Sequence, residues 1–98
     1  MPHSETQPAA VYAAIAGEIR TMAQIVEQIA DALVCSEQLG NDHIRQFQNF
    51  DLVVQYAHEN AALLDRLAQG TNTDEAIGSV RLTAMQNRLR ANLAQAVA

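Results

Sequence analysis

Large apolar side chains in the first third of the chain recur at alternating intervals of four and three: Ile15, Ile19, Met22, Val26, Ile29 and Leu33. That alternation gathers them into one stripe of a helix, the kind of seam by which helices pack in bundles. It predicts a helix over about 9–38, starting after Pro8, stopped by Gly40 and packed along its whole length. The same spacing returns in Phe47, Phe50, Val54, Ala57, Ala61, Leu64 and Ala68 and predicts a second helix over 42–69, capped by Asn41 or Asp42 and ended by Gly70. Two seams of matching length around a short turn describe an antiparallel hairpin, with arms about 40 Å long. Counting outward from Gly40 sets Asp51 across from Ile29, and Gln55 across from Ile25 or Val26.

Beyond Gly70 and Thr71, Asn72 with Glu75 forms a capping-box pattern and opens a third helix over 73–96. Its apolar positions Ile77, Val80, Met85, Leu89 and Leu93 are interrupted by Gly78 and Ser79. So weakly patterned a helix does not cover both arms of the hairpin. The expected fold class is therefore all-α, a long hairpin plus a third helix, with two hairpins dimerising into a four-helix-bundle core. A three-helix monomer is the alternative. Residues 1–8, polar and holding both prolines, are expected as a disordered tail, leaving 9–98 as one helical domain.

Composition agrees with helix: Ala accounts for 18 of 98 residues, and Gly and Pro are few. All six basic residues are arginine against eleven acids, so the net charge is -5. Residues 1–73 carry -6 of it and residues 74–98 carry +1. An acidic body without a basic stripe argues against nucleic acid and against an anionic membrane surface. Arg81 and Arg88 share a face of the third helix and are expected to answer the acids of the hairpin. The start of the chain lacks the pattern of a signal peptide and no stretch approaches a membrane span, which points to a cytoplasmic protein. A single Cys35 permits no internal disulfide and is expected as a small buried hydrophobe.

No Gly-rich phosphate loop, metal-spaced cluster or nucleophile elbow is present. The candidate chemistry lies in the second helix. Asp51 and Gln55 stand one turn apart, an acid and an amide held on a rigid element beside an apolar stripe with aromatic neighbours. The same spacing occurs at Asp42 with Gln46 and at Asp65 with Gln69, but those pairs fall at helix ends. His58, seven residues after Asp51, suggests a phosphate-accepting histidine. Histidine phosphotransfer domains follow that residue with Lys and Gly, whereas this chain continues Glu59-Asn60, with no cation near in sequence.

The Asp-x-x-x-Gln spacing resembles the motif of the chemotaxis phosphatase CheZ, whose Asp and Gln project from a long hairpin that dimerises into a four-helix bundle. Phe47-Gln48-Asn49-Phe50-Asp51-Leu52-Val53-Val54-Gln55 is similar to that family's approach to its glutamine. In length and character the chain most resembles the small CheT-type proteins of alphaproteobacterial chemotaxis operons. The resemblance implies a phosphatase acting on phosphoaspartate of a CheY-type response regulator. Asp51 would pair with the receiver's lysine, and Gln55 would position water for in-line attack. Phe47, Gln48, Asp51 and His58 would form the partner-binding face. The protein would need no cofactor of its own, because the receiver domain holds the Mg²⁺. The hairpin is shorter than in CheZ, and no separate receiver-binding helix follows it. A non-catalytic adaptor for another chemotaxis protein, such as the receptor methyltransferase, and a phosphotransfer domain are the alternatives.

Overall fold

A computed structural model describes residues 7–34 and 44–97. Four helices and no strand occur among them: α1 (Gln7–Val34), α2 (Ile44–Ala68), α3 (Thr73–Gly78) and α4 (Thr83–Val97). Helix α1 starts at Gln7 with Pro8 in its first turn, where the missing N–H breaks no helical bond. Cys35, the turn at Gly40 and the caps expected at Asn41 or Asp42 lie outside the described residues. Helices α1 and α2 form the long hairpin. The pairing counted from Gly40 agrees with the structure, since Asp51 shares a groove with Ala30 and Asp31.

The seam inside the hairpin is not the one that large side chains mark. On α1 the buried positions are Ala16 and Ala23, which face α2 together with the half-buried Ala30; on α2 it is Ala61. Ala16, Ala23 and Ala30 repeat every seventh residue, so they form a true heptad line, but one turned about 100° from Ile15, Met22 and Ile29. Small side chains let two helices approach closely, leaving larger neighbours at the margin. Ile19 and Val26 are half-buried there, whereas Ile15, Met22, Ile25 and Ile29 keep 43–56% of their surface open. Within one chain α1 therefore packs through only part of its apolar stripe: Ile15, Met22, Ile29 and Leu33 face outward. An ion pair from Arg20 to Asp65 spans the two arms at 2.5 Å, with both side chains partly exposed.

Helix α2 ends as the sequence predicts. Gly70 takes φ +93°, its N–H donates to the Leu67 carbonyl and the Thr71 N–H donates to the Arg66 carbonyl, the paired bonds of a glycine C-cap. Asn72 then caps α3, its Oδ1 accepting from the Glu75 N–H at 2.9 Å.

The single third helix expected over 73–96 is two helices, broken at Ser79–Leu82. The break has a packing reason. In an uninterrupted helix Val80 and Leu89 would point about 180° apart. With the chain turned after Gly78, Ile77, Val80 and Met85 bury against Leu63, and Tyr56, Leu67, Leu82 and Leu89 close around them. Gln86 Nε2 donates to the carbonyls of Ile77, Gly78 and Val80, satisfying the end of α3. None of these clustered side chains comes from α1. Among the described residues α2 therefore packs on both sides, against alanines of α1 and against the α3–α4 layer.

Candidate functional site

Gln48, Asp51, Gln55 and His58 recur along α2 at intervals of three, four and three, and all four are exposed. They form a polar crest on the outer side of the helix, because the inner directions are taken by Ala61 and by Leu63. Asp51 and Gln55 make no side-chain hydrogen bond or ion pair among the described residues. The Phe47 side chain lies outside the described residues. Phe50, on the margin toward α1, is half-buried and lines the groove beside Asp51.

The structure places Asp51 and Gln55 together on the crest but over different grooves. Asp51 borders a groove of about 310 Å³ toward α1, with Glu27, Ala30, Asp31, Phe50 and Val54. Three carboxylates line that depression, yet no group of three or more His, Cys, Asp or Glu among the described residues is arranged to hold a metal ion. Gln55 borders a second groove of about 260 Å³ toward the α3–α4 connection, with His58, Glu59, Arg81 and Leu82. A single ligand in either depression would meet one of the two side chains. A partner surface laid across the crest would meet both.

His58 is about half exposed, and its Nε2 stands 3.6 Å from Glu27 Oε1. Arg81 lines the same groove as His58 and Gln55. The cation missing from the neighbourhood of His58 in sequence is therefore supplied by the α3–α4 connection. Sequence reasoning missed it because Arg81 reaches this side of α2 only through the break after Gly78. The Arg81 backbone N–H donates to Glu59 Oε1 at 2.8 Å, tying that connection to α2. Among the described residues Arg88 pairs with no hairpin acid; its guanidinium carbon sits 5.2 Å from the centroid of the Tyr56 ring. Of the two look-alike pairs, Asp65 is occupied by Arg20, and Gln69 lies just past the end of α2. Asp42 lies outside the described residues.

The profile of a family described as Domain of unknown function (DUF8776) matches residues 4–98. The chain belongs to that family. No curated protein and no solved structure matches it. The family's description names no activity, so any chemistry assigned to the crest rests on its own residues. No helix among the described residues is long and apolar enough to cross a membrane.

Proposed function

We propose that the crest of α2 engages a CheY-type receiver domain and promotes hydrolysis of its phosphoaspartate, in the manner of a CheZ-like phosphatase. The observation that carries this reading is an acid and an amide, Asp51 and Gln55, both exposed, one turn apart in the middle of a long helix packed on two sides. Phosphoryl transfer of this kind asks little covalent chemistry of the protein, because the receiver brings the phosphoryl group and Mg²⁺. What the helix supplies is position. Gln55 can accept from the attacking water and donate to a phosphoryl oxygen without adding negative charge. Asp51 pairs with a receiver lysine and fixes the approach. The separate grooves beside the two residues suit a receiver that straddles α2.

The decisive measurement is the decay of a phosphorylated receiver with the unmodified protein and with Gln55→Ala, Asp51→Ala and Gln69→Ala. Gln55→Ala should slow the accelerated decay about 100-fold while the complex still forms, because the amide acts mainly in the transition state. Asp51→Ala should weaken both binding and decay, and Gln69→Ala should change neither. Absence of acceleration with every receiver encoded beside this protein would remove the enzymatic reading.

A binding role without catalysis is the second reading, favoured by Glu27 and Asp31 beside Asp51, which together would attract a basic surface on a partner such as the receptor methyltransferase. The presence of Arg81 beside His58 keeps phosphotransfer as a third. Acid-labile label transferred to the protein and lost in His58→Ala would establish it in place of the phosphatase.

A further inference from the structure

The two sides of the α2 crest differ in charge. Toward α1 the depression beside Asp51 also carries Glu27 and Asp31, and no arginine among the described residues lines it, so it repels an anion and suits a cation. Toward the α3–α4 connection the depression beside Gln55 and His58 carries Arg81, with Glu59 as its one carboxylate among the described residues. Resting on the phosphatase reading of the crest, we infer that Arg81 is a further catalytic residue, whose guanidinium contacts the phosphoryl oxygens of the receiver's phosphoaspartate while Gln55 holds the water. The receiver's lysine then lies over the Asp51 side and its phosphoryl group over the Arg81 side, which fixes how the partner straddles α2.

Two observations single out Arg81. The first is that its side chain is unengaged. Among the other arginines whose side chains are described, Arg20 pairs with Asp65, Arg66 donates to the Ala76 carbonyl, Arg88 lies over the Tyr56 ring and Arg90 donates to Gln86 Oε1 at 2.6 Å. Arg81 is exposed, and among the described residues its guanidinium makes no hydrogen bond or ion pair. The second is that its backbone is pinned. The Arg81 N–H donates to Glu59 Oε1 at 2.8 Å, which also engages that carboxylate. On one side the Val80 carbonyl accepts from Gln86 Nε2 at 3.2 Å, and on the other the Leu82 carbonyl accepts from the Gln86 N–H at 2.9 Å. Val80 is buried and Leu82 packs on the Leu63 cluster. The connection thus holds Arg81 beside Gln55 by its main chain and leaves the cation available, which is the preorganisation an anion contact requires.

In the reaction the water oxygen bonds to phosphorus, and the bond from phosphorus to the aspartyl carboxylate oxygen breaks with its electron pair staying on the carboxylate. Both water protons end on the inorganic phosphate released, and Arg81 stays protonated throughout. Negative charge spreads over the phosphoryl oxygens in the transition state, where a guanidinium can donate to them from a rigid fork. Gln55 brings no charge of its own. The amide and the guanidinium therefore divide the task, one positioning water and the other stabilising charge.

Single-turnover decay of a phosphorylated CheY-type receiver encoded beside this protein, followed across protein concentration, tests the assignment. Arg81→Ala should lower the maximal rate about 100-fold and leave the half-saturating concentration within about threefold, since Asp51 fixes the approach. Its helical circular dichroism should be unchanged, because the bond that ties the connection to α2 comes from the backbone. Arg81→Lys should recover part of the rate, since an ammonium keeps the charge and loses the fork. Arg88→Ala removes the same charge from α4 at the Tyr56 ring and should act like the unmodified chain. Full maximal rate in Arg81→Ala while Gln55→Ala loses it would overturn the role of Arg81 and leave the phosphatase reading in place. An unchanged maximal rate with a raised half-saturating concentration would make Arg81 a docking contact and overturn the catalytic assignment, as would an equal loss in Arg88→Ala. No acceleration by the unmodified protein would remove the reading and the inference together.

Discussion

Arg66 directs two donors at one acceptor: its Nε and Nη2 stand 3.1 and 2.8 Å from the Ala76 carbonyl oxygen. The guanidinium thereby fastens α3 to α2 across the glycine turn, at a carbonyl whose own residue is fully buried. Replacing Arg66 by Ala strands that acceptor and removes a charge-assisted bond, for a cost of about 1.5–3 kcal/mol. Arg66→Lys should recover only part, because an ammonium does not reproduce the two-pronged geometry. Urea unfolding should show a lower midpoint with an unchanged slope in both variants. Gly70→Ala acts a few residues away by a different route. At φ +93° a Cβ is strained, even though nothing lies within 4 Å of it, so the cost of about 1 kcal/mol comes from the backbone alone. The glycine's role was legible in the sequence because turn chemistry is local. Arg66's role was not, since its acceptor is defined only once α3 has docked.

The hairpin shows at the scale of elements why periodicity locates helices better than it orients them. Both arms of α1–α2 follow from the three-four alternation, and the glycine C-cap at Gly70 and the N-cap at Asn72 follow from residue chemistry. The direction in which α1 buries does not, because two heptad lines run side by side along it. The larger side chains of the line through Ile15, Met22 and Ile29 dominate any hydrophobicity pattern, while the alanine line carries the observed contact. Mutation separates the two lines. Ala23→Leu inserts three carbons where 1% of the residue is exposed and should destabilise the hairpin by about 1–3 kcal/mol. Met22→Leu, one residue away and conserving volume on the open face, should change stability by less than about 0.5 kcal/mol. Thermal unfolding of the two variants at equal concentration provides the comparison. Equal losses would mean that the alanine line is not the seam. The break between α3 and α4 was foreshadowed by Gly78-Ser79, but its purpose, gathering Val80 and Leu89 into one cluster and bringing Arg81 beside His58, depends on packing that no local pattern encodes.

The molecule as a whole is elongated. Its radius of gyration is 17.0 Å, where a compact chain of this length has about 13 Å, and it exposes 7170 Å² against about 5,500 Å² for a compact monomer of its mass. Protection within it should be uneven, since among the described residues α2 lies between α1 and the α3–α4 layer. Backbone amides from Tyr56 to Leu67, between the alanines of α1 and the Leu63 cluster, should exchange most slowly, and those of Ala91–Ala96, exposed on α4, most quickly. Helix α1 is the discriminating element. One of its sides rests on α2, and the other is an exposed apolar face that the dimer expected from the sequence would cover. Hydrogen exchange followed by mass spectrometry across a dilution series should therefore show protection from Val11 to Leu33 falling as the protein is diluted, while Tyr56–Leu67 holds its level. Met22→Glu should show the dilute pattern at every concentration. Protection of α1 that is independent of concentration in the unmodified chain would mean that α2 alone stabilises it, and the open stripe would then have no stabilising role.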